Sequence, residues 1–165
     1  MVMGKRSTAA VEQSIKWRII EALDTGNGAG TVTLTRYALP NVREERLGHL
    51  TLDEQTALAV LVAHLRQRYG DDLLRVTLYG SKSRGDFDAE SDLDVLVVVR
   101  AQDYWGCWRE ITDLTSQLLL ETGVNISALV RDETRYQWWK THHAPIYNSI
   151  RRDGVDLFPS FSPFP

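Results

Sequence analysis

The chain has a single cysteine, Cys107, among 165 residues, which excludes an internal disulfide and any zinc site built on several cysteines. A reducing cytoplasm is the expected setting. No run approaches the roughly 20 apolar residues of a membrane helix, and the opening "MVMGKRSTAAVEQSIKW" has no unbroken apolar core of signal-peptide length. The reading is a cytosolic protein with no membrane association. Positive charge is not in excess either: the formal net charge is −3, and Lys and Arg are scattered in "GKR", "RQR" and "IRRDG". Without a basic stripe there is no strong nucleic-acid signal. Internal repeats and low-complexity tracts are lacking as well. What is there, 43% hydrophobic and 25% charged residues, suffices for one globular core with an extra segment but not for a second full domain.

The extra segment is residues 1–48. Val11, Ile15, Ile19 and Leu23 recur at helical spacing, "DTGNGAG" breaks that helix, and "TVTLTRYALPNV" alternates before Pro40. We expect a short helix followed by a flap or a partly disordered stretch. The main domain spans 49–158, with 159–165 as a tail. It opens on "TLDEQTALAVLVAHLRQRYG", where Thr51 and Glu54 form a capping-box pattern and Leu58, Leu61, Val62, Leu65 and Tyr69 share one face. A strand at "LLRVTLYG", a glycine-containing turn and a strand at "DLDVLVVV" follow. Then come a long helix around "DYWGCWREITDLTSQLLLETG", a strand at "VNISALV", a helix from Pro145 through "IYNSIRRDG" and a short "VDLF". This alternation predicts an α/β (α+β) fold, a small mixed β-sheet with helices packed on it.

The chemistry gathers in "LYGSKSRGDFDAESDLDVLVVV", residues 78–99. Asp92 and Asp94 are two apart on a strand, so both side chains face one way while Leu93 and Val95 face the other. Like charges side by side repel, and a cation between them removes the conflict. Gly80 and Ser81, at the end of the preceding strand, can present backbone N–H groups and a hydroxyl to phosphate oxygens, and Arg84 adds a cation to the same loop. Ten residues between Ser81 and Asp92 let the chain turn and return beside the first strand. Turn and carboxylates then share an edge, an arrangement suited to Mg²⁺ on a nucleoside triphosphate.

These residues resemble a known signature. "GSKSRGDFDAESDLD" matches the Gly-Ser, ten residues, Asp-x-Asp pattern of the DNA polymerase β-like nucleotidyltransferase superfamily, and within it the minimal nucleotidyltransferase (MNT) group. "GVNISALVRDE" and "PIYNSIRRDGVDLF" look like the third strand and closing helix of those enzymes, so the likeness covers about residues 50–158. It implies transfer of a nucleoside monophosphate from ATP or another NTP to a hydroxyl, with one or two Mg²⁺ ions. By the resemblance, Gly80 and Ser81 hold the triphosphate, Asp92 and Asp94 bind metal, and Arg84 contacts phosphate or braces the loop. The family usually has a third carboxylate on the neighbouring strand. Asn125 is the best-placed residue here, a neutral side chain that can offer a metal its carbonyl oxygen but cannot act as a general base. Asp132 and Glu133 lie at the far end of that strand and are poor substitutes. Triphosphate binding is expected to survive this departure, and turnover is the open point.

No additional acceptor-holding domain is recognisable, so the acceptor is expected on another macromolecule. The resemblance implies a specific one: the chain would be the antitoxin of a toxin–antitoxin pair, adding AMP to a tyrosine or other hydroxyl of a HEPN-family ribonuclease toxin. Two alternatives stand beside it. One is an NTP-binding module of weak or no activity that inhibits its partner by occlusion. The other is an enzyme modifying an antibiotic or metabolite, with a homo-oligomer completing its site.

Simpler expectations attach to other residues. Arg84 can pair with Asp86 or Asp88. His142 and His143 read as surface or loop residues rather than metal ligands. Trp105, Trp108, Trp138 and Trp139 read as packing residues, although adjacent Trp138 and Trp139 cannot easily both be buried. Cys107 falls on the apolar stripe of its helix, and the arginines of "IRRDG" suit a helix C-terminus.

Overall fold

The computed structural model describes residues 47–86 and 91–158. The readings made on residues 1–46, on Asp88 and on the tail from 159 therefore lie outside the described residues. Helix α1, Leu52–Tyr69, starts where expected: the Thr51 side chain accepts from the Glu54 N–H, and Glu54 accepts from the Thr51 N–H. A 3₁₀ turn, Gly70–Asp72, leads into strand β1, Leu73–Tyr79. A one-turn helix α2, Ser81–Arg84, precedes strand β2, Leu93–Val99. Helix α3, Tyr104–Thr122, capped by Asp103, crosses to strand β3, Ile126–Asp132. Helices α4, Glu133–Thr141, and α5, Pro145–Asp153, come next, and strand β4, Val155–Phe158, closes the described chain.

The four strands form one mixed sheet in the order β3-β2-β1-β4. β1 pairs antiparallel with both β2 and β4, while β2 and β3 run parallel. A parallel pair needs a crossover longer than a hairpin, and α3 supplies it. β2 is central and apolar on both faces beyond Asp94, as a strand covered on both sides must be. Its Leu93, Val95, Val97 and Val99 enter the larger core with Leu58, Leu61 and Leu65 of α1 and Ile111 and Leu118 of α3. Its Leu96 and Val98 meet Trp139 of α4 and Ile150 of α5 in a smaller core on the opposite face. Each fully buried Leu contributes about 2 kcal/mol of transfer free energy, so the central strand and α1 anchor the domain. Leu47, a residue from the segment assigned to the extension, is 6% exposed and joins the larger core.

Some expectations need correction. Residues 133–141 form a helix that the periodicity did not predict. Asp132 caps it by accepting from the Arg135 N–H at 2.8 Å, and Tyr136 and Trp139 are the side chains it turns toward the smaller core. Trp105 and Trp108, expected to pack, are 68% and 41% exposed. Tyr104, Cys107, Ile111 and Leu118 supply the inward stripe of α3 instead, which rotates both tryptophans away from the sheet. Of the Trp138–Trp139 pair only Trp139 is buried; Trp138 stacks on His142 with centroids 4.4 Å apart. His142 and His143 are both exposed, in keeping with a surface role.

Candidate active site

Strand pairing sets the site at one rim of the sheet, where the two central strands β1 and β2 end and begin. Tyr79, the last residue of β1, is the register partner of Asp94 on β2, so Gly80 and Ser81 follow immediately beside the aspartates. Gly80 has φ 77° and ψ −157°, a conformation essentially reserved for glycine. Its missing side chain also matters: a Cβ there would lie 2.2 Å from Asp94 Oδ2. The carboxylate of Asp94 thus packs directly on the turn. Gly85, at φ 82°, ends α2 by donating its N–H to the Ser81 carbonyl, and the Ser83 hydroxyl donates to the Gly80 carbonyl at 2.8 Å.

Asp92 precedes β2 and is exposed, whereas Asp94 is partly buried. Burial pushes the Asp94 carboxyl above its ordinary range, the charge of Asp92 pushes the same way, and Arg84 partly offsets both. The parallel register, Leu93 with Ile126, sets the preceding residues of the two strands side by side. Asn125 accordingly donates from Nδ2 to Asp92 Oδ1 at 2.7 Å, and its own carbonyl accepts from the Leu93 N–H. Asn125 is therefore next to Asp92, not Asp94; the register partner of Asp94 on β3 is Ser127. Asp132 lies at the opposite end of β3, paired with Val99.

Arg84 is exposed and holds Asp86 through Nε, with distances of 3.1 and 3.0 Å to the two carboxylate oxygens. The ion-pair expectation holds here, while the charge of Arg84 is still felt at Asp94 and Asp153. Among the described residues no group of three or more His, Cys, Asp and Glu is arranged to hold a metal ion. What the edge offers is a carboxylate pair, an amide and a glycine-shaped turn.

Sequence reasoning overlooked two residues at this edge. Tyr79 is half-buried next to Asp94, and its phenol is pushed above its ordinary range by burial and then by the Asp94 charge, with Arg131 opposing. Lys82, inside the Gly-Ser turn, is 2% exposed and ion-paired with Glu54 at 2.8 Å. No local sequence pattern links this lysine to Glu54, which lies 28 positions earlier in the first turn of α1.

The chain is similar to known proteins. Residues 59–138, which span Gly80 through Asn125, match the family model described as nucleotidyltransferase domain. A Methanocaldococcus jannaschii protein named "Putative protein adenylyltransferase" is 36% identical over 108 residues, 65% of this chain and 100% of that protein. A second protein of that organism with the same name is 38% identical over 64 residues, 39% of this chain and 65% of that protein. Among solved structures, a toxin–antitoxin chain crystallised with AMP-PNP is similar at 17% identity and a TM-score of 0.42, over 61% of this chain and 73% of that one. A mutant of the toxin–antitoxin MntA–HpeT is similar at 14% identity and a TM-score of 0.43, over 67% of this chain and 76% of that one. No helix among the described residues is long and apolar enough to cross a membrane.

Proposed function

The chain belongs to the nucleotidyltransferase domain family and is a nucleotidyltransferase, and from that premise we propose that it transfers AMP from ATP to a hydroxyl of a partner protein. The observation that carries this reading is the seating of Asp94 on Gly80, which joins the turn and the carboxylate pair at one edge. AMP as the transferred group and protein as the acceptor follow the names of the Methanocaldococcus jannaschii relatives. The likeness to the minimal nucleotidyltransferase group supports a HEPN-family ribonuclease toxin as that partner, with this chain as its antitoxin.

Gly80 and Ser81 take the triphosphate in this reading, and Arg84 exchanges Asp86 for a phosphate oxygen, a charge-assisted bond in either state. Asp92 and Asp94 fit a divalent cation: one immediately precedes β2 and the other is its second residue, and burial together with their mutual repulsion disfavours a charged Asp94 unless a cation joins them. Mg²⁺ held there would supply neutralisation of charge at the α-phosphate and a lower pKa for the acceptor hydroxyl. In the transfer step the acceptor oxygen bonds to the α-phosphorus, the bond from that phosphorus to the bridging oxygen breaks, and pyrophosphate leaves with the electron pair. The acceptor proton is released to solvent water, and the Asn125 amide, which has no basic atom, takes no part in receiving it.

A second reading rests on that same amide. Asn125 donates to Asp92 where the family usually has a carboxylate, so a chain that binds Mg–NTP and inhibits its partner by occlusion is the alternative. The two separate by experiment. Host lysate incubated with the purified chain, ATP and Mg²⁺ is digested and searched by mass spectrometry for AMP on Tyr, Ser or Thr. Peptides carrying AMP support transfer; tight Mg–ATP binding without any modified peptide favours occlusion.

A further inference from the structure

A lysine within a phosphate-binding turn would ordinarily be read as a phosphate ligand. Here the side chain goes elsewhere. Lys82 is 2% exposed, and its Nζ lies 2.8 Å from Glu54 Oε1 on α1. Glu54 is itself doubly used, since Oε2 accepts the Thr51 N–H of the α1 cap at 2.8 Å. The main chain of Lys82 is gripped as well: its carbonyl lies 2.5 Å from His49 Nε2. One short segment, His49 to Glu54, therefore holds both the backbone and the side chain of the residue that follows Ser81.

We infer that Lys82 and Glu54 are positioning residues, and that their buried ion pair holds the Gly80–Ser81 turn against Asp94 without Lys82 touching the triphosphate. The inference rests on the reading of that turn as the triphosphate site. Helix α2 has only four residues and glycines at both ends, too little to define its own place. An ammonium this deeply buried cannot leave its carboxylate cheaply, so the pair allows the turn one location. The Ser83 hydroxyl, bonded to the Gly80 carbonyl, then passes that constraint to the glycine under Asp94.

The test is a double-mutant cycle with Lys82→Met, Glu54→Gln and the double variant, read by calorimetry with Mg–ATP below the melting temperature of each protein. Gln still serves in a capping box, so Glu54→Gln removes the ion pair and keeps the α1 cap. Each single variant is expected to weaken Mg–ATP binding about tenfold or more, the double variant no further, and Lys82→Arg is expected to stay within about threefold of wild type. Loss of affinity in Lys82→Met alone, with Glu54→Gln binding like wild type, would make Lys82 a phosphate ligand and overturn the inference. So would variants that melt earlier but bind Mg–ATP unchanged, which would reduce the pair to a structural strut. A wild-type chain that takes up no Mg–ATP would instead remove the triphosphate site itself, and the inference with it.

Discussion

Replacing Gly80 with Ala perturbs the site at its tightest point. The new Cβ would stand 2.2 Å from Asp94 Oδ2, 3.1 Å from its Cγ and 3.2 Å from its Cβ. Ordinary contact requires the carboxylate to move by roughly 1 Å. The backbone adds a second cost, because at φ 77° and ψ −157° an L residue is strained by about 1–3 kcal/mol. Two responses are available: the turn rebuilds away from β2, or Asp94 swings off the turn. Either one separates the turn proposed to hold the triphosphate from the carboxylates proposed to hold the metal, and misplacement on that scale costs about a hundredfold in rate. Gly80→Ala is therefore expected to lower label transfer from α-phosphate-labelled ATP into lysate protein about a hundredfold, and to lower stability by about 1–3 kcal/mol in a urea melt. Near-wild-type transfer by a correctly folded variant would refute the idea that Asp94 and the turn work as one unit.

Other consequences can be measured separately. Asn125→Asp exchanges a 2.7 Å hydrogen bond for a second charge beside Asp92, so its melting temperature should fall in EDTA and rise with Mg²⁺ by more than that of wild type; equal Mg²⁺ responses would count against metal at this edge. Burial raises the Glu54 carboxyl, but the bonds from Lys82 and Thr51 outweigh it, and the net pKa is lowered. Its stabilisation is thus fully present above the ordinary glutamate value of about 4.3 and lost as pH falls through the lower folded value, a limb of the stability–pH curve that Glu54→Gln should flatten. Trp105→Ser should change stability by less than about 0.5 kcal/mol, as expected for a side chain 68% exposed. Ile111→Val, one turn and a half further along the same helix but 1% exposed, should cost about 1 kcal/mol in the same urea melt.

The elements legible in the sequence are those whose signals are local. The capping box at Thr51, the glycines at 70 and 123, and the run from Leu93 to Val99 each mark their own boundaries. The juxtaposition of Gly80, Asp92 and Asp94 was legible for the same reason: they are close in sequence, and an antiparallel return is the shortest way to join their strands. Asn125 could be placed because a parallel neighbour brings the residue before Ile126 beside the residue before Leu93. Helix α4 was missed because "ETRYQWWKT" turns Tyr136 and Trp139 toward the core but leaves Trp138 outside, so no clean stripe appears. The Trp108 error is of the opposite kind, an apolar residue adjacent to the stripe and counted with it. The Lys82–Glu54 pair spans 28 positions and depends on how α1 lies over the turn, which no local pattern encodes.

Nucleotide transfer at the rim between β1 and β2 is proposed to depend on Asp92 and Asp94. The most direct test gives α-phosphate-labelled ATP and Mg²⁺ to host lysate with either the wild-type chain or the Asp92→Asn/Asp94→Asn variant. A labelled protein band is expected with wild type and none with the variant. Equal labelling by both, or no labelling by a wild-type chain that binds Mg–ATP, would contradict it.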